Sequence, residues 1–60
     1  MNEADLDRSY TALCRALGDV GAERAELLLA MVTLSLMARA GDADEVQRLI
    51  EKARERCLQG

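Results

Sequence analysis

Histidine, proline, tryptophan and phenylalanine are absent from these 60 residues, and tyrosine occurs once. Without histidine the chain lacks the side chain that most often shuttles protons near neutral pH. No two carboxylates stand in a context that would raise one of their pKa values, so no catalytic role is expected. Without proline nothing breaks a helix from within. Cysteine is scarce as well, with only Cys14 and Cys57, whereas disulfide-held domains of this size are cysteine-dense. A reduced, cytoplasmic protein follows. No paired-cysteine motif occurs, and Asp42, Asp44 and Glu45 lack the ligand count and glycine spacing of a calcium loop, so neither a metal nor another cofactor is expected.

These exclusions matter because of size. The 60 residues form a single domain, and a chain this short buries only about 60% of the surface its unfolded form exposes. Ordering it costs on the order of 90 kcal/mol at roughly 1.5 kcal/mol per residue. With disulfides and metals set aside, unusually good packing or oligomerisation must offset that cost.

Ala, Leu, Glu and Arg dominate what is present, which is the composition of an all-α protein. Glycines at positions 18, 21, 41 and 60 punctuate the chain, and the spacing predicts helices over 3–17, 22–40 and 43–58, forming a small bundle. Asn2 is a candidate N-cap for the first helix, and Glu3, Asp5 and Asp7 suit the positive end of its dipole. Gly18 is expected to end it. Leu6, Tyr10, Leu13, Leu17 and Val20 recur at helical steps and give this helix one apolar face.

The third helix follows GDADE. There Gly41 is expected to adopt a left-handed conformation, Asp42 to cap the helix and Glu45 to complete a capping box, in a tight turn. Val46, Leu49, Ile50, Ala53 and Cys57 again form one stripe. Cys14 and Cys57 read as small apolar filler, although both come late in helices that would run parallel in an up-down-up bundle.

The middle helix differs. The run LLLAMVTLSLM, residues 27–37, holds no charge between Glu26 and Arg39. At 1.5 Å per residue it reaches about 16 Å, half the depth a membrane span requires. The segment MNEADLDRSY has neither a basic nor an apolar stretch of the kind a targeting signal needs. The run carries two apolar rows, Leu28, Leu29, Val32 and Leu36 on one side and Leu27, Met31, Leu34 and Ala38 on the other, with Glu26, Ala30, Thr33 and Met37 as a mildly polar seam. A helix apolar nearly all round is a buried helix. Two single-faced neighbours cover part of it, so the surplus row calls for a second copy. Leu27, Met31, Leu34 and Ala38 are the candidate interface, with Tyr10 at its rim.

Arg48, Lys52 and Arg56 make a basic row on the third helix, beside Glu51 and Glu55 in a chain of net charge −3. That balance disfavours nucleic acid, and pairs such as Asp44 with Arg48 and Glu51 with Arg54 account for a solvated face.

Tyr10 with Leu13, Ala25, the leucine-rich run, Gly41-Asp42 and a short helix ending in Ala53-Arg54 together resemble, over residues 5–56, a family of short bacterial all-helical proteins classed only as a domain of unknown function. The resemblance implies the three-helix layout and brings no activity. Those proteins typically carry an asparagine–histidine pair where this chain has Ala38 and Arg39. The stretch MARAGDADEVQ is also similar to the helix–turn–helix of small type III secretion co-chaperones. The expectation for function is a non-enzymatic interaction module acting as a homodimer, as adaptor, accessory subunit or inhibitor of a larger protein. The alternatives are a secretion-type co-chaperone holding a partner helix and a helix-turn-helix transcriptional regulator.

Overall fold

The computed structural model describes residues 1–60 and is all-helical, without strands: α1 spans Glu3–Val20, a 3-10 turn Ala22–Arg24, α2 Ala25–Arg39 and α3 Ala43–Gln59. No helix is long and apolar enough to cross a membrane.

Asn2 caps α1, its side-chain oxygen accepting from the Asp5 amide at 2.8 Å. The helix does not stop at Gly18. It continues one further turn to Val20, which is half-buried, and ends at Gly21, whose φ of +83° only glycine adopts without strain. The Gly21 amide donates to the Leu17 carbonyl at 3.1 Å and closes the terminus. A mid-helix glycine costs about 1 kcal/mol relative to alanine, and the added contacts of Val20 at the elbow oppose that cost.

After Gly21 no side chain is placed to cap a new helix, and residues 22–24 take up the free amides in a single 3-10 turn before α2 begins at Ala25. The middle helix is therefore shorter than its sequence pattern suggests.

The link from α2 to α3 also departs from expectation. Helix α2 ends at Arg39, and Ala40 swings into an extended conformation with its amide shared between the Leu36 and Met37 carbonyls at 3.0 and 3.1 Å. Gly41 is not left-handed, since Gly21 alone has positive φ. With Asp42 extended as well, the link leads α3 away from α2 instead of reversing it tightly. Asp42 does cap α3, accepting from the Asp44 amide at 3.0 Å. Glu45 does not complete a capping box, because its carboxylate is drawn to Arg48 at 2.7 Å. Arg48 therefore pairs with Glu45 and not with Asp44, whose shorter side chain remains in the first turn. Glu51 and Arg54 do pair, at 3.0 Å.

The three helices stay splayed. No residues twelve or more positions apart bring their Cα atoms within 8 Å, and no residue is buried. The radius of gyration is 13.0 Å, against about 10.4 Å for a compact domain of this length. Leu13, Leu17 and Val20 of α1 are half-buried with Ala25 and Leu28 of α2 around the first elbow, and Met37 with Val46 around the second. The bundle implied by the apolar stripes is not closed within one chain.

The glycine geometry yields two substitutions of opposite sign. Gly18 is exposed, helical and free of neighbours within 4 Å of an added Cβ, so Gly18→Ala is expected to raise stability by up to about 1 kcal/mol. Gly21→Ala is expected to lower it by about 1–3 kcal/mol, because φ +83° with ψ 167° is a backbone region essentially restricted to glycine. Thermal melts followed by circular dichroism at one protein concentration compare them, and equal effects would contradict the assigned helix end.

Candidate functional site

The chemistry this structure offers is apolar surface. Twelve large hydrophobic side chains are exposed, and α2 carries them on more than one side. Its two hydroxyl residues do not interrupt that surface. Thr33 donates to the Leu29 carbonyl at 2.7 Å and Ser35 to the Met31 carbonyl at 2.9 Å, each one turn back along the helix. Their polar atoms are thereby satisfied internally.

The first apolar feature is the row Leu27, Met31, Leu34 and Ala38. Leu27, Met31 and Leu34 are 60%, 58% and 61% exposed, and Ala38 is exposed too. Of the other row only Leu28 is half-buried, while Leu29, Val32 and Leu36 are 42%, 37% and 65% exposed. Both rows of α2 are thus largely uncovered, and the Leu27 row is exposed along its whole length. Tyr10 does not join this row within the chain, because no residue so distant in sequence comes near it.

The second feature is an apolar groove of about 350 Å³ between the end of α2 and the start of α3, bordered by Leu36, Met37, Ala40, Val46, Leu49 and Ile50. Thr33 also borders it. Residues 33 and 37 read in sequence as part of a weakly polar outer seam, and they lie instead on the side facing α3. The extended link at Ala40 produces this arrangement, and an assumed tight turn at Gly41 hides it.

Charged side chains form local exposed pairs, Arg8 with Asp5 at 3.9 Å in addition to those on α3. Such pairs contribute little to stability. On α3, Arg48 and Lys52 border a shallow surface shared with Glu45, Glu51 and Glu55, so the basic row is interleaved with acid. No three side chains of the metal-binding types come together to hold an ion.

Cys14 and Cys57 are both exposed thiols. They are not the buried filler their stripes suggest, because the splayed helices leave those stripes uncovered. Nor do they approach each other, since no such distant pair comes within 8 Å between Cα atoms and a disulfide requires about 7 Å or less. Cys14 acts locally on Tyr10, one turn earlier on α1. It holds the phenol above its ordinary pKa, chiefly through a side-chain hydrogen bond, then through electrostatic repulsion between the two groups, with desolvation adding to both.

Comparison of the chain with protein-family models, curated proteins and solved structures finds no match.

Cys14→Ala removes the largest influences on Tyr10. Tyrosinate is then expected to form at lower pH than in the unaltered chain, as followed by ultraviolet absorbance titration. An unchanged curve would mean the two side chains do not interact.

Proposed function

We propose that this chain is a non-enzymatic, cytoplasmic protein-interaction module that acts as a homodimer, serving as adaptor, accessory subunit or inhibitor of a larger protein. One observation carries the reading: a lone chain buries none of its residues while exposing twelve large hydrophobic side chains. A compact monomer of 6.6 kDa has about 3,900 Å² of accessible surface by the scaling of folded proteins. This chain exposes 5627 Å². The surplus, roughly 1,700 Å² per chain on that scaling, is of the size that permanent assemblies cover. Its helices hold 18, 15 and 17 residues, and in proteins most helical stability comes from packing an amphipathic face rather than from propensity. Packing against another chain supplies what the single chain does not.

A second reading is favoured by the α2–α3 groove, whose apolar walls suit the greasy face of a partner helix. In that co-chaperone reading the heterodimer is more stable than the homodimer. Transcriptional regulation through α3 draws no comparable support, because Arg48 is tied to Glu45 and the neighbouring surface is acidic.

Sedimentation at micromolar concentration tests the first reading. A dimer is expected, with a melting temperature that rises with protein concentration. Leu34→Glu and Leu27→Glu are each expected to abolish assembly and helicity together, since an unpaired charge would be placed in the contact. A well-folded monomer in the unaltered chain would refute the homodimer.

A further inference from the structure

We propose that α2 pairs with α2 of a second copy in antiparallel register, through Leu27, Met31, Leu34 and Ala38. This inference rests on the homodimer reading and specifies its seam and direction. The row advances in steps of four, three and four residues, the alternation of the two inward positions of a heptad. At about 100° per residue it lies roughly 140° around α2 from the groove-facing side, with Leu28 about 90° away. A neighbouring helix therefore reaches it without displacing α1 or α3. No charge lies on α2 between Glu26 and Arg39, and the one hydroxyl beside the row, that of Ser35, is already bonded to the Met31 carbonyl.

The exposed area is sufficient for a second copy. Covering the surplus of both chains removes roughly 3,400 Å², within the range of about 2,000–5,000 Å² that obligate homodimers bury. A second copy provides area of this order, with the α2 seam at its centre and the exposed apolar faces of α1 and α3 beside it.

Side-chain size selects the direction. A two-fold axis between Met31 and Leu34 sets Leu27 against the partner's Ala38 at both ends, large against small, and Met31 against the partner's Leu34 in the middle. Parallel pairing instead sets Ala38 against Ala38 and leaves a gap at one end, while two Leu27 side chains compete for space at the other. Interiors are close-packed, and alternation of large with small is the arrangement that fills them. Antiparallel helices also bring opposite dipole ends together.

Cross-linking tests the register. In the full chain with Cys14→Ser and Cys57→Ser, one preparation carries Leu27→Cys and another Ala38→Cys, and the two are mixed, re-equilibrated and mildly oxidised. The mixed disulfide is expected to exceed either self-linked product by about tenfold or more, because antiparallel register separates the two Leu27 positions by about 16 Å, beyond disulfide reach. Self-linking through position 27 would establish parallel pairing and overturn the inference. A dimer by sedimentation with no cross-link in any mixture would move the seam elsewhere, the α2–α3 groove included, and overturn it while leaving the homodimer intact. A monomer before the cysteines are introduced would refute the homodimer and this inference with it.

A second measurement does not depend on the cysteine variants folding. Leu27→Ala weakens the dimer, and adding Ala38→Leu to it is expected to recover about tenfold in affinity, the coupling of residues in contact. Within one chain these positions are too far apart to couple directly, so strict additivity would also overturn the inference.

Discussion

The two links between helices govern everything else in this molecule. At Gly21 a positive φ ends α1 and turns the chain into a 3-10 step, and at Ala40 an extended residue carries it away from α2. Each link has its hydrogen bonds satisfied, Gly21 to Leu17 and Ala40 to Leu36 and Met37. Neither link folds one helix back along the next. Apolar contact is therefore confined to the elbows, where Leu13, Leu17, Val20 and Leu28 gather on one side and Met37 and Val46 on the other. The apolar faces farther along each helix diverge, and their exposure follows from the links.

Local forces are well provided for in this arrangement. Asn2 and Asp42 cap their helices, acidic residues occupy first turns, and ion pairs at three-residue spacing line α3. Contributions of this kind amount to a few tenths to about 1 kcal/mol each. They set where helices start and stop, and they are too small to order sixty residues against a conformational cost of order 90 kcal/mol. That task falls to apolar burial. The uncovered side chains lie in continuous rows, a form that suits another protein surface, which is the physical basis of the interaction-module proposal.

Helix content and cap positions were legible in the sequence, because both depend on residues within one turn of each other. Asn2, Asp42 and the absence of proline act locally, and the structure follows them. Helix ends governed by backbone conformation were less legible. Gly18 and Gly21 are equivalent as letters, and only the half-burial of Val20 shows why the helix passes through the first and stops at the second. The pairing of Glu45 with Arg48 at the expense of a capping box had the same origin: two local partners competed for one carboxylate. The groove beside Met37 was not legible at all, since it depends on the angle between helices, and that angle is set by the φ and ψ of Ala40.

Assignment of the two apolar rows of α2 is the point at which sequence and structure together exceed either alone. Periodicity identifies two rows and gives no reason to prefer one. At the first elbow the rows differ only at Leu28, which is half-buried, whereas Leu27, Met31, Leu34 and Ala38 are all exposed. Heptad alternation occurs on both sides, Leu29, Val32 and Leu36 also stepping by three and four, but the row exposed along its whole length ends in a small residue, Ala38, opposite Leu27. An asymmetric row of this kind complements itself only when reversed. A surface of that form favours a second copy of the same chain over an unrelated helix, because a two-fold axis satisfies both ends with one sequence solution. In the proposed dimer the α2–α3 groove remains a separate apolar surface on each protomer, on the far side of α2 from the seam, so self-association and the docking of a larger protein do not compete for the same side chains.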